Sequence, residues 1–457
     1  MARISRRDLI GSLTAAGGAA FSCHIPLQLA AAEDLRVVAP AGPHFTPRAT
    51  RLIKIFLTGG VSHVDTFDEK PLLARDHGKI VDAPSLRDVS QQPLQASHFH
   101  FHSCGESGLR ISELFPHLGG LADDVCVIRS LHTDIVEHFQ AALAMHTGSA
   151  TVPLPSLGAW LSFGLGTSNP NLPAHVVLCE HLPYGGSQLW DSCFLPPVHQ
   201  GARVVPGETP IPDLKPIVED ITLRELEARL LDNFNRNFAS DRPDDLTLAA
   251  RSESFQTARG MMREAPQLLD FSDESAATLG MYGIPEGDRQ SFGWQCLAAR
   301  RLAESGVRVV EIIDSGASDN WDAHGDMEQH RPKALRVDQA IAALIQDLKQ
   351  RGLFDDTLIA ICTEFGRTPF DPGKGRNHWH RAFSCLLAGG SVRGGLAYGE
   401  SDDYGIDIAS DPVHVHDYHA TILHVMGIDH ERLTYRYAGR DFRLTDVAGK
   451  VVHPILG

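Results

Sequence analysis

The chain has 457 residues, 43% hydrophobic and 21% charged, a globular composition long enough for a large buried core and unlike that of a disordered segment. Its 57 acidic against 41 basic side chains give a formal charge of −16, and no Lys/Arg cluster stands outside the N-terminus, which argues against a nucleic-acid partner. No Gly/Ser/Pro linker and no internal repeat divides it, which favours one large domain carrying insertions.

Residues 1–32 read as a twin-arginine export signal. Arg6-Arg7 precedes a modestly apolar, Ala/Gly-rich run, and Ala30-Ala31-Ala32 offers a small-residue cleavage site. The mature part, 33–457, is then expected in the periplasm or outside the cell, and nothing else reaches the ~18 uninterrupted apolar residues of a membrane span. Its cysteines lack the close spacing of a disulfide framework or a C-x-x-C zinc knuckle. Cys126, Cys362 and Cys385 sit in apolar runs and read as buried small hydrophobes. Cys179 and Cys193 flank a Gly/Pro loop, where pairing is open to them in an oxidising compartment.

Leu52 to Leu57 reads as a buried strand that breaks at Gly59-Gly60, and Val125 to Ile128 as a second. Helical period runs from about Phe139 to Met145 and stops at Thr147-Gly148. His175 to Leu178 is a third strand. From about 221 to 303 the pattern is mainly helical, the expected insertion. Val307 to Ile313, Leu358 to Cys362 and Ala382 to Leu387 are short β-branched or apolar runs. Strands alternating with helices predict an α/β fold, with a mainly parallel sheet covered by helices on both faces and ligands bound beyond the carboxyl ends of its strands.

Three stretches place carboxylates and imidazoles just after such runs: D-N-W-D-A-H at 319–324, C-T-E-F-G-R-T-P at 362–369 and G-R-N-H-W-H at 375–380. Any one alone is equally well a solvated loop. Together they predict ligands of a divalent cation, distant in sequence, meeting at one sheet edge.

The motifs at 59–71, 299–311, 321–324, 363–369, 388–402 and 437–447, in that order, resemble a large bacterial family of unknown function. Its members are typically exported by the twin-arginine route and grouped with the alkaline phosphatase and sulfatase superfamily. The likeness spans nearly all of the chain after the signal. It implies an alkaline phosphatase-like fold and, by analogy, hydrolysis of phosphate or sulfate esters of small molecules or glycans. The implied cofactor is a divalent metal, zinc first, with manganese, calcium or magnesium as alternatives.

Carried over residue by residue, the resemblance implies Asp322, His324, Glu364 and His378 as first-choice ligands, with Asp65 and Glu311 second. Glu364 stands where the superfamily has an Asp; Phe365 stands where it has a His and cannot replace it. His380 is a close second to His378, and His416 lies on a late helix expected mostly to pack. Asp65, which follows the Gly pair, reads equally as a helix-capping carboxylate. Counting back about nine residues from Thr147-Gly148, the superfamily's spacing from nucleophile to Thr-Gly pair, lands on His138.

Either a water on the metal or His138 is then the attacking group, with Ser130 and Thr133 as hydroxyl alternatives. Arg367 is the implied anion clamp, or else a salt-bridge partner. No Cys precedes an x-Pro-x-Arg run, so the formylglycine of sulfatases is not available here. The rival reading is a catalytically degenerate member acting as a surface glycan-binding or scaffold protein. An esterase using Ser62 ranks last, because the G-x-S-x-G elbow is missing.

Overall fold

The computed structural model describes residues 42–84, 89–214, 220–242 and 245–457; the export signal read at 1–32 lies outside them. The apolar runs become strands of one nine-stranded sheet. In chain order these are β1 (Arg51–Phe56), β2 (Val125–His132), β3 (His175–Cys179), β4 (Ala202–Val204), β5 (Val309–Ile313), β6 (Thr357–Cys362), β7 (Phe383–Ala388), β8 (Leu396–Tyr398) and β9 (Val413–His414). Their spatial order is β8-β2-β7-β6-β1-β5-β3-β4, with β9 also on β2. Every pairing is parallel except those of β7, which runs antiparallel to both β6 and β2.

That reversal corrects one expectation. The stretch 375–380 does not follow a strand; it leads into β7. Because β7 runs backwards, its amino end lies at the edge where its neighbours end, so all three stretches still share one sheet edge. An apolar run carries no mark of direction, which is why the sequence left this hidden.

The main helices are α1 (His138–Thr147), α2 (Leu157–Leu165), α3 (Ile221–Ser240), α4 (Leu246–Leu268), α5 (Phe292–Glu304), α6 (His330–Gln350) and α7 (Val415–Val425). Successive strand side chains point to opposite faces, so each strand feeds two cores. Ile53, Ile55, Val310, Ile312, Ile359 and Ile361 pack with residues of α5 and α6. Leu52, Phe56, Val309, Ile313, Leu358 and Cys362 pack with α1, α2 and α7 on the other face. This double burial explains why the strands read as continuous apolar runs rather than alternating ones. α5 belongs to this covering layer although it falls within the helical stretch 221–303.

Two buried charges on adjacent central strands answer each other. Lys54 of β1 and Glu311 of β5 are register partners, almost wholly buried, with Nζ 3.0 Å from Oε1. His146 of α1 brings Nε2 to 2.7 Å from the same oxygen. Burial pushes the Glu311 carboxyl up, but Lys54 and His146 together hold it well below the usual carboxylate range. Glu311 therefore sits mid-strand inside the core with its charge already matched. Cys126, Cys362 and Cys385 are buried free thiols as read; Cys179 and Cys193 are both free, Cys179 buried and Cys193 exposed. Among the described residues no helix is long and apolar enough to cross a membrane.

Candidate metal centre

The site is built on loops that leave the carboxyl ends of β1, β5 and β6. β1 ends into Gly59-Gly60, whose φ values of 113° and 80° lie where side chains are strained. A Cβ on Gly59 would stand 2.6 Å from the Trp321 amide nitrogen, so the loop carrying Asp322 can approach only a glycine. That loop is pinned by Asp314 at the end of β5, which accepts from the Thr58 amide at 2.9 Å and from Trp321 Nε1 at 2.7 Å. Trp321 is fully buried, and the next side chain, Asp322, stays partly exposed.

Around Asp322 gather three imidazoles. His324 Nε2 lies 2.9 Å and His378 Nε2 3.3 Å from Asp322 Oδ1, and His138 Nε2 lies 3.4 Å from Oδ2. The two nitrogens of His324 and His378 are 3.0 Å apart. Ligand atoms of His138, Asp322 and His378 all fall within 4.8 Å of one another, and His324 joins through its contacts to the latter two.

What faces each ring from behind fixes its proton. His378 Nδ1 is 2.7 Å from the Val136 carbonyl, which only accepts, so Nδ1 carries the hydrogen. His138 Nδ1 donates to Glu364 Oε1 at 2.7 Å. His324 Nδ1 is 3.1 Å from Asn377 Oδ1, and the amide cannot be flipped, because Asn377 Nδ2 donates to Asp371 Oδ2 at 3.0 Å. All three rings therefore present Nε2 to the one carboxylate of Asp322. His138 Nε2 is buried without a hydrogen-bond partner. Nitrogen and oxygen lone pairs aimed at one point, each ring oriented from behind by an acceptor, fit a divalent cation.

Glu364 stands one layer out. Fully buried, it accepts from His138 and, at 2.8 Å, from the Gly59 amide through Oε1, while Oε2 accepts from Thr363 Oγ1 at 3.1 Å. Arg367 is also fully buried. It donates from Nε to the Gly60 carbonyl at 2.9 Å, from Nη1 to the Arg376 carbonyl at 3.2 Å, and from Nη2 to the Gly59 carbonyl and to Asp322 Oδ1, the last at 2.6 Å. Burial pushes the Asp322 carboxyl up, yet His138, His378 and Arg367 hold it far below the usual range. Burial pulls His138 down, outweighed by Asp322 and Glu364, so its pKa is raised; His324 is lowered by burial.

Asp65 is not in this cluster. It is buried against Arg376, whose Nε donates at 2.7 Å, and it accepts from Ser62 Oγ at 2.5 Å. Arg376 also donates to the carbonyls of Thr368, Gln95 and Ala96, so this pair holds the stretch that presents Asn377 and His378. Ser130 donates to the Asp411 carbonyl at 2.6 Å, and His416 Nε2 lies 2.8 Å from the Gly148 carbonyl. His380 lines an open pocket of about 730 Å³ beside His324 and His378, with Phe370, Trp379 and Gln92.

A model of the family described as "Protein of unknown function (DUF1501)" matches residues 49–456. The chain belongs to this family. No curated protein matches the sequence. Among solved structures, the family member is similar to the lipoteichoic acid synthase LtaP from Listeria monocytogenes, at 10% identity over 87% of this chain and 75% of that one, with a TM-score of 0.38. The PsFucS1 sulfatase from Pseudoalteromonas sp. overlaps at 13% identity over 84% and 69%, TM-score 0.33. The alkaline phosphatase from the Antarctic bacterium TAB5 overlaps at 10% identity over 83% and 98%, TM-score 0.32. Scores this low decide nothing about chemistry, and the fold rests on the strand order and pairing above.

Two partners in the site went unread in the sequence. Tyr184 stacks on His138, ring centres 4.3 Å apart and planes 10° off parallel. Asn320 accepts from the Asp322 amide at 3.0 Å and donates to the Tyr184 hydroxyl at 3.3 Å. The available signal was position, since Tyr184 follows the end of β3 as Asp322 follows the end of β5.

Proposed function

We propose that this protein is an exported, metal-dependent hydrolase of phosphate or sulfate esters, in which His138, Asp322, His324 and His378 hold the cation. The observation that carries this reading is the set of three imidazoles whose Nδ1 atoms are committed to acceptors and whose Nε2 atoms meet at one carboxylate. Three nitrogens and one carboxylate suit zinc first and manganese next. Such a cation, when bound, neutralises charge on ester oxygens and acidifies a water.

The chain's own residues do the rest. Glu364 holds the His138 ring through Nδ1–H, so this proposal moves His138 from attacking group to ligand and Glu364 from ligand to orienting group. Arg367, tied to the Gly59 and Gly60 carbonyls, fixes Asp322 rather than clamping a free anion. The free amides at the start of α1, where Glu137 makes no side-chain cap, favour negative charge next to His138. The pocket beside His378 gives space for a small-molecule or glycan leaving group. Export rests on the Arg6-Arg7 signal alone.

The test is a panel of aryl phosphates, aryl sulfates and phosphodiesters run on zinc- or manganese-loaded protein. Turnover of at least one class, lost on chelation and restored by the ion, is expected. Metal bound without any turnover would replace the hydrolase by a glycan-binding or scaffold protein; neither metal nor turnover would end the proposal.

A further inference from the structure

At 3.6 residues per turn, Leu223, Leu226, Leu230, Leu231, Phe234 and Phe238 fall on one side of α3, within an arc of about 140°. Each is half exposed or more, and Phe234 reaches 70%. An amphipathic helix on a globular surface ordinarily turns this stripe inward. Here the attachment is on the other side, where Asp232 accepts from Arg259 of α4 at 2.6 Å. No residue of α3 is buried, and its apolar side faces water.

We propose that this face of α3 is covered by α3 of a second copy of the chain, giving a two-fold dimer. The six side chains expose roughly 650 Å², most of the ~800 Å² that each partner contributes to a standard interface. Charge selects protein over membrane. α3 carries Arg224, Arg229 and Arg236 against Glu225, Glu227 and Asp232, whereas a helix lying on anionic lipid needs a Lys/Arg-rich polar side. The whole chain, at −16, is repelled by such a surface.

A face that meets its own copy about a two-fold axis makes an isologous contact. Antiparallel helices centred between Leu230 and Leu231 set Leu223 against Phe238 and Leu226 near Phe234, so a small side chain meets a large one along the seam. A parallel pair would stack Phe on Phe at one end and Leu on Leu at the other. The antiparallel order also opposes the two helix dipoles.

Sedimentation velocity on the full chain is expected to show a dimer at low-micromolar concentration. Leu230→Glu with Phe234→Glu should give a monomer with unchanged circular dichroism, because both positions are exposed in the single chain, and with an unfolding midpoint that no longer depends on protein concentration. Under mild oxidation Leu230→Cys should cross-link two copies. Leu223→Cys should not, since the two copies of that residue lie roughly 20 Å apart at 1.5 Å rise per residue. A monomer at every concentration would overturn the proposal, as would a monomer that co-sediments with phosphatidylglycerol vesicles. Cross-linking of Leu223→Cys as fast as Leu230→Cys would overturn the antiparallel arrangement.

Discussion

Asp322→Asn is expected to release bound metal and remove metal-dependent ester hydrolysis while leaving the protein folded. All three Nε2 atoms meet at this carboxylate, the one anion of the proposed ligand set, so no other single change to that set removes as much negative charge from around the cation. Loss of an outer partner alone costs roughly 10–100-fold in metal affinity, and loss of the central anionic ligand should exceed that. The fold tolerates the change better than the site does. Asn keeps an oxygen for Arg367 Nη2, and the three backbone carbonyls on that guanidinium remain, so the stability loss should stay within about 1–3 kcal/mol. Metal content after gel filtration, read beside a urea unfolding curve, separates the two effects. Full metal retention in Asp322→Asn would remove this residue from the ligand set.

Arg376→Met should do the reverse, damaging the fold first and the site through it. Arg376 and Asp65 are both fully buried, and deleting one charge of such a pair costs about 3–5 kcal/mol because the other is left alone in the core. The carbonyls of Thr368, Gln95 and Ala96 lose their donor as well. Metal affinity should fall too, since the loosened stretch carries Asn377 and His378. Adding Asp65→Leu to Arg376→Met should recover part of the stability, because the stranded carboxylate is gone. A double variant no more stable than Arg376→Met would contradict a purely structural pairing for Asp65. If Asp65 were instead a ligand, Arg376→Met would free it for metal and affinity would hold or rise.

The fold was legible where burial on both faces writes itself as an uninterrupted apolar run, as in β1, β5, β6 and β7. It was not legible in direction: the reversal of β7 depends on which neighbours it joins. For the site, counting back from the left-handed Gly148 that ends α1 led to His138, which does face Asp322. Asp322, His324 and His378 also came from the sequence and meet in space. Asp65 and Glu311 stood behind them as second-choice ligands, each an acid near a strand. What separates them is a buried partner far along the chain, Arg376 for one and Lys54 for the other. A lone Lys in β1 and a lone Glu in β5, each amid apolar neighbours, were the available hint that the two answer each other. The helical stretch 221–240 was readable as a helix, but nothing in its periodicity says that its apolar side faces outward.

Anomalous diffraction at the zinc and manganese edges, from crystals equilibrated with each ion, tests the metal centre most directly. The expected result is a strong peak about 2 Å from Nε2 of His138, His324 and His378 and from an Asp322 carboxylate oxygen. An empty position there at saturating ion, or a peak held instead by Asp65 or Glu311, would contradict it.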